Sequence, residues 1–380
     1  MSDALPLIAL TVGDPAGIGP EIVLEALQDN ALARRVRLLV IGPAALRPAA
    51  LPNSGVDDRP GHRWLETPGP DSWTMGEAQE SCGAAALAAL REGVRLARAH
   101  QVAALVTAPA CKEALHLAGE KIEGQTELLA RLDETSRYEM IGLSGKLRVM
   151  LLTRHLPLSE AIASITTKRV VQHLELFDEA LRGIGIEHPR IALAGLNPHA
   201  GEGGILGREE QEILEPGVQR ARAAGIDVLG PRSPDMVFLE ASEGDYDGVL
   251  ALYHDQAFIP LKLLSHGTGV TWIAGLSFLR LSPVHGTAFD IAGKGVADAS
   301  NLLAAIGTAA DWCDRPEGGR PLLAQSRLGC PTQGGCRSSG REFGRAKEPQ
   351  WQALGPCVGG MLASAPALGA PGATDSSIRG

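Results

Sequence analysis

Short apolar runs rich in Ile, Leu and Val alternate along the chain with longer stretches whose apolar residues return at helical spacing. The runs 7–13, 37–42, 103–108, 147–153, 190–196, 227–230 and 248–253 are continuously apolar, not strictly alternating. That pattern suits strands covered on both faces, as in parallel sheets. Helices are expected between them at 20–29, 77–99, 126–133, 158–184, 208–224 and 300–312. In the 77–99 stretch Gly76 precedes the periodic residues and Glu77 opens them. Strands and helices taking turns argue for an α/β fold.

The pattern stops near residue 314. From Arg315 onward Gly, Pro, Ser, Ala and Arg dominate, and eight Lys and Arg stand against four Asp and Glu. Such a composition buries too little apolar surface to offset the entropy of ordering it, so 314–380 is expected to be a disordered tail. A shifted reading frame in GC-rich DNA would produce the same composition, and resequencing the 3′ end decides between them.

Composition narrows the class further. A chain of 380 residues, 44% of them hydrophobic, suffices for one large core or two ordinary ones. A formal net charge of −9 argues against nucleic acid or an anionic membrane as partner. No segment reaches the roughly 20 apolar residues that span a bilayer. The first apolar run has no basic region ahead of it, so it reads as a strand and not a signal peptide. The expectation is a soluble cytoplasmic protein. Cys82 and Cys111 lie far apart, and Cys330 and Cys336 do not have zinc-ribbon spacing. Neither a disulfide framework nor a zinc module is read from them.

Four segments carry candidate chemistry. "VGDPAGIGPEIV", Val12 to Val23, ends a strand, turns through Gly17 and Gly19, and opens a helix at Pro20. A helix N-terminus behind glycines favours an anion, though a tight turn alone explains the glycines. "VHGTAFDIAGKGVADASNLLAA", Val284 to Ala305, has three Gly, a Thr and two Asp before an apolar helix. Its spacing is not the dinucleotide fingerprint G-x-G-x-x-G, yet its backbone N–H groups offer a nucleotide cradle; a structural loop is the plain alternative.

The third set is dispersed. His155, His199 and His254 each follow an apolar run, which places each at the C-terminal end of an expected strand. Ligands bind at that edge of open parallel sheets. Three imidazoles meeting there would hold a divalent metal with positions left open. One strand-end histidine is more often a hydrogen-bonded loop residue; three in the same context favour the metal. In the fourth segment, "VTAPACKEALHLAGEKIEGQTELLARL", Lys112 is placed to reach a ligand at the same edge. Gln125 and Thr126 form a polar turn that also reads as a helix cap.

Together, "GDPAGIGPE", "TAP-x-x-K", "G-x-TE", "T-x-H-x-PL", "GLNPHAGEGG-x-x-G-x-EE", "YHDQ-x-x-IP-x-K" and "HGTA-x-D-x-AG-x-G-x-AD" resemble the 4-hydroxythreonine-4-phosphate dehydrogenase family of the vitamin B6 pathway. The resemblance covers about residues 5 to 312, in order. "GDPAGIGPE" and "HGTAFDIAGKG" also look like the wider isocitrate/isopropylmalate dehydrogenase-like superfamily. The resemblance implies an α/β fold with two α/β/α domains and an active-site cleft between them. The division would be approximately 1–130 with 265–313, and 131–264, within a body of 1–313.

It further implies an NAD- or NADP-dependent homodimer with a shared active site, in which His155, His199 and His254 are the metal ligands and one histidine comes from the other subunit. The metal is expected to be zinc, with magnesium or cobalt as alternatives. Lys262, Arg280 and the Gln125–Thr126 pair match substrate-binding positions, and Thr271 stands where the family has a substrate-contacting asparagine. Gly286, Thr287, Asp290, Gly293 and Gly295 fall in the loop that holds the dinucleotide. Lys112 and Asp255 are candidates to assist proton transfer.

The implied reaction oxidises the secondary alcohol of 4-phosphohydroxy-L-threonine to a β-keto acid, which decarboxylates to 3-amino-2-oxopropyl phosphate. Two departures bear on substrate: the usual "GHTE" is here "GQTE", with Gln125 in the histidine's place, and Thr271 replaces the asparagine. Relatives that act on phosphothreonate, phosphoerythronate or aromatic cis-dihydrodiols are the nearer alternatives. A metal-dependent hydrolase and a non-catalytic binding protein are the distant ones.

Overall fold

In a computed structural model of the chain, residues 5–57, 59–122 and 124–313 are described. They belong to the first of two units, Met1–Cys330. The expected tail 314–380, with Cys330, Cys336 and Cys357, lies outside the described residues.

β1 (Leu7–Thr11) leads into α1 (Gly19–Gln28) and a short α2 (Asn30–Ala33), then β2 (Arg37–Pro43) and β3 (Arg63–Thr67). α3 (Glu80–Arg98), β4 (Ala104–Thr107), α4 (Lys112–Leu117) and α5 (Gln125–Leu132) follow. The next stretch holds β5 (Glu139–Ser144), β6 (Leu147–Leu151), α6 (Leu158–Ala163), α7 (Thr167–Gly183) and β7 (Ile191–Ala194). It continues through α8 (Glu215–Ala223), β8 (Val228–Arg232), α9 (Val237–Glu243), β9 (Gly248–Ala251) and α10 (His254–Ser265). β10 (Val270–Ala274), β11 (Arg280–Pro283) and α11 (Ser300–Cys313) complete the order.

All seven expected strands form. The expected helix 158–184 is two, because Thr166 turns extended (φ −137°, ψ 152°) and its hydroxyl accepts from Arg169 N, capping α7. The expected helix 208–224 opens with a wider turn over Glu210–Leu214 before α8, whose first turn carries Pro216. β3, β5, β10 and β11 were not expected. They are short and interrupted by polar residues such as Glu139, Thr271 and Arg280, so no apolar run marks them.

The strands form one sheet in the order β3-β2-β1-β4-β11-β10-β5-β6-β9-β7-β8. Two parallel blocks, β3-β2-β1-β4-β11 and β6-β9-β7-β8, account for its ends. They are joined by antiparallel pairings through β10 and β5, so the parallel expectation holds at both ends and fails in the middle. Every strand from β3 to β10 in this order comes from residues before 130 or after 265, and every strand from β5 to β8 from between them.

Successive strand residues point to opposite faces and meet different helices. Ile8, Leu10 and Val40 join Ile22 of α1 and Leu302 and Ile306 of α11. Leu7, Ala9, Leu39 and Ile41 join Ala86, Leu90 and Val94 of α3 on the other face. In the second block Ile191, Leu193 and Leu250 pack with Leu174, Phe177 and Leu181 of α7. Ala192, Ala194, Val249 and Ala251 pack with α9 and α10. Both blocks are therefore covered on both faces, which explains why their strands read as unbroken apolar runs. Among the described residues no helix is long and apolar enough to cross a membrane.

Candidate active site

The C-terminal edge of the sheet gathers the polar residues. A cleft of about 360 Å³ opens there, lined by Thr107 at the end of β4, Gln125, Thr126 and Glu127 of α5, and Met140 of β5. Thr271 of β10, Arg280 and Ser282 of β11, the following His285 and Gly286, and His155 beyond β6 complete it. Five expected substrate or metal residues, Gln125, Thr126, Thr271, Arg280 and His155, thus share one cavity.

Arg280 dominates its electrostatics. The guanidinium is 3% exposed. Its Nη2 donates to Thr107 Oγ1 (2.6 Å) and to Gln125 Oε1 (2.8 Å), while Nε has no partner. Among the described residues no carboxylate pairs with it. Burial pushes the guanidinium down to about 9, so it remains a cation at neutral pH. A buried cation held by two neutral acceptors with an unpaired N–H is short of a negative partner. A carboxylate or phosphate group on a ligand supplies one, with charge-assisted bonds.

Gln125 explains its own departure from the family pattern. Its Oε1 accepts from both Arg280 and Thr107 Oγ1 (3.1 Å), and its Nε2 reaches Ala108 O (3.4 Å). Orienting that acceptor on Arg280 is the amide's work here. Thr271 is buried and pairs across β10 with Gly142 and Ser282.

The three histidines follow β6, β7 and β9, and β9 lies between the other two in the sheet. His155 and His254 meet, with ring centroids 5.4 Å apart and tilted by 41°. His254 also stacks on Phe258 at 4.7 Å and donates from Nδ1 to Asp255 Oδ1 (2.8 Å). His199 stands on its own turn, 61% exposed, and donates from Nδ1 to Glu202 Oε1 (2.6 Å); that bond raises its pKa. In both His199 and His254 a carboxylate fixes the Nδ1–H tautomer and leaves the Nε2 lone pair free, the arrangement that metal-bound imidazoles use. The donor chemistry therefore fits a divalent ion. Among the described residues, however, no three His, Cys, Asp or Glu come together as a metal-holding group. Two of the expected ligands are side by side and His199 is not with them.

The remaining expected residues are dispersed. Lys112 is exposed at the start of α4, two residues past Ala110 of the cleft wall, and its ammonium has no partner among the described residues. Asp255 is exposed and engaged by His254. Lys262 is exposed on α10, eight residues beyond His254, and does not line the cleft.

The 284–299 loop joins β11 to α11. Gly286 lines the cleft, and Thr287 O accepts from Ile18 N (3.0 Å), tying this loop to the glycine turn ahead of α1. Asp290 is exposed, and its carbonyl accepts from Lys294 Nζ. The N–H groups of Gly293 and Gly295, expected to face a nucleotide, instead donate to the Glu21 carboxylate. A dinucleotide using them must first displace Glu21. Thr107 and His285 of the cleft fall inside the quoted motifs, but no spacing singles them out. Glu209, Glu210 and Gln256, which bond to the histidine turns, were not among the expected site residues either. Their signal was the carboxylate pair in "G-x-EE" and the last letter of "YHDQ".

Most of the chain is similar to known proteins. Residues 24–309 match the family described as pyridoxal phosphate biosynthetic protein PdxA. The chain is 42% identical over 317 residues to the D-threonate 4-phosphate dehydrogenase of Salmonella typhimurium strain LT2, covering 79% of this chain and 96% of that one. It is 41% identical over 324 residues to the 4-hydroxythreonine-4-phosphate dehydrogenase of Desulfosudis oleivorans, covering 80% and 96%. Among solved structures, the 4-hydroxythreonine-4-phosphate dehydrogenase of Klebsiella pneumoniae superimposes with a TM-score of 0.73 at 41% identity, covering 80% and 98%.

Proposed function

The chain belongs to the PdxA family, and from that premise we propose that it oxidises the secondary alcohol of 4-phosphohydroxy-L-threonine with NAD or NADP. It is an alcohol dehydrogenase, in keeping with the names of its relatives. The observation that carries the substrate class is Arg280, a buried cation in the wall of the cleft with no counter-charge among the described residues.

The reaction removes a hydride from the carbinol carbon and a proton from its oxygen, leaving a β-keto acid. That acid loses CO2 to give 3-amino-2-oxopropyl phosphate. NAD or NADP, held at the 286–295 loop, would supply the hydride acceptor. His155, His199 and His254 would hold a divalent ion, zinc by the nitrogen character of the donors, and such an ion would supply Lewis-acid polarisation of the substrate hydroxyl. Arg280 fixes the substrate's anionic group, with Gln125, Thr126 and Thr271 around it. Asp255 orients His254, which leaves Lys112 at the rim as the candidate to carry the hydroxyl proton away. Gly286 and Thr287 begin the loop that meets the nicotinamide nucleotide. Lys262, outside the cleft of its own chain, is read as serving the cleft of a second copy.

His199 standing apart from His155 and His254 supports a homodimer in which it completes the partner's metal site. The sheet order, with residues 131–264 on one side of the β10–β5 junction and 1–130 with 265–313 on the other, supports two α/β subdomains. A second substrate has support as well: D-threonate 4-phosphate, named for the relative from Salmonella typhimurium. It differs only in carrying a hydroxyl where the first substrate has its amino group.

A substrate panel tests this. Purified protein with zinc and either nucleotide is expected to reduce NAD(P) fastest on 4-phosphohydroxy-L-threonine. A higher kcat/KM on D-threonate 4-phosphate overturns that choice in favour of the second, and no reduction on either overturns both. Q125E tests the anion site by giving Arg280 an internal counter-charge. It is expected to raise Tm while increasing KM for the phosphorylated acid at least roughly tenfold, as occupation of a charge-assisted bond predicts.

A further inference from the structure

We propose that Glu210 and Gln256 are positioning residues, a buried carboxylate and a buried amide that hold the turns bearing His199 and His254 in fixed register on the sheet edge. The proposal rests on the reading of those histidines as metal ligands.

The turn after β7 is strained. Residues 199–204 all have positive φ: His199 52°, Ala200 54°, Gly201 80°, Glu202 43°, Gly203 66° and Gly204 97°. Three of the six are not glycine, and each such residue is disfavoured in the left-handed region, where Cβ crowds the following carbonyl oxygen. A run of this kind persists only where its surroundings over-determine it, and strain of this kind gathers at functional sites.

Glu210 supplies the constraint. It is 2% exposed. Its Oε1 accepts from Leu196 N and Asn197 N, each at 2.8 Å, and its Oε2 accepts from Asn197 Nδ2 at 2.8 Å. Glu209 Oε2 takes a second bond from Asn197 Nδ2, also at 2.8 Å. The left-handed turn then folds back over the carboxylate: a Cβ at Gly201 would lie 2.8 Å from Glu210 Oε2, so a larger residue there would push the carboxylate off its donors. No cation pairs with Glu210 among the described residues. Its charge is met by N–H donors from the root of the turn, so releasing them leaves a buried carboxylate unpaired.

Gln256 continues the chain of bonds from Gly195, the residue before Leu196. Its Nε2 donates to Gly195 O (2.7 Å), and its Oε1 accepts from Leu252 N (2.7 Å). Leu252 and Gln256 bracket His254 by two residues on either side. An unbroken path therefore runs from Glu210 through Leu196, Gly195 and Gln256 to Leu252. The link at 256 needs a side chain that donates and accepts at once, which an amide does and a carboxylate does not. Neither residue lines the cleft or touches a histidine ring. Their role is to place Nε2 atoms, as partners beyond the ligands do in metal sites.

The test measures zinc affinity by chelator competition, and the visible spectrum of the cobalt-substituted protein, for wild type, H199A, E210Q, Q256E and N197A. Tm of the metal-free protein is recorded for each. E210Q and Q256E are expected to weaken zinc binding about 10–100-fold, to shift the cobalt bands and to lower kcat, with KM for NAD(P) near wild type. N197A, which removes only side-chain bonds, is expected to act in the same direction more weakly; it decides the matter if E210Q does not fold. Wild-type affinity and cobalt spectrum in E210Q and Q256E, with H199A impaired, overturn the proposal and leave the ligand reading intact. A fall in Tm with an unchanged cobalt spectrum also overturns it, since the role is then general stability. Unchanged zinc binding in H199A overturns the ligand reading itself.

Discussion

At the scale of single residues, Arg280 shows how a functional group conflicts with stability. Taking a guanidinium out of water without a counter-ion is unfavourable, and replacing a buried charge with an apolar side chain of similar volume is often stabilising by about 1–4 kcal/mol. R280M is therefore expected to raise the melting temperature, seen by calorimetry. Thr107 and Gln125 keep their mutual hydrogen bond in that variant. On the proposed role of Arg280 the same change removes the partner of the substrate's anion, which typically costs about 2–5 kcal/mol of binding, so KM should rise by on the order of 10²-fold. The pH dependence has a definite sign. A folded pKa of about 9 lies well below the unfolded value, so the unfolded chain holds more protons between them. Stability of the free protein should rise as pH climbs through about 9, and stabilisation by inorganic phosphate should fade over the same range. Arg280 and Gln125 were legible from their motifs. That Gln125 turns its carbonyl oxygen toward Arg280 was not, because an amide's orientation depends on neighbours 18 and 155 residues away in sequence.

At the scale of elements, long periodic or unbroken apolar segments declared themselves and short mixed ones did not. β1, β2, β4 and β9 are covered on both faces, so burial wrote their whole length in apolar letters. β10 and β11 line the cleft, where the polar Thr271, Arg280 and Ser282 break the apolar pattern, and the strand signal is lost with it. α4 was hidden for another reason: with six residues it is too short to show a period. Its seat is made by Gly83 of α3, where a Cβ would stand 1.9 Å from Ala114 O. In an ordinary helix Gly→Ala stabilises by roughly 0.5–1 kcal/mol. Here the clash is with backbone that cannot swing away, so G83A is expected to destabilise by about 3 kcal/mol, at the upper end for overpacking. Urea denaturation reads the difference. Equal or greater stability in G83A would show that α4 moves freely on α3.

At the scale of the whole molecule, one chain brings only two of the three expected histidine ligands together, and this limits what sequence can show. Strand ends locate His155, His199 and His254 on one edge, but a periodicity carries no information about a second chain. In the sheet, β9 lies between β6 and β7. Strands neighbour at about 4.8 Å, so the roots of His155 and His199 are about two spacings apart, whereas His155 and His254 touch neighbouring space. The dimer reading turns this into an experiment. H155A and H199A should each be inactive as homodimers. In a mixed dimer one site takes both substituted residues, and the other takes His155 and His254 from one chain with His199 from its partner. Random reassortment makes half the dimers mixed, each with one working site of two, so roughly a quarter of wild-type activity should return. Zinc content should rise in step. The same mixture of H155A with H254A should recover nothing, because those two rings are contributed by one chain to one site. Activity in that second mixture and none in the first would reassign which histidine crosses between subunits.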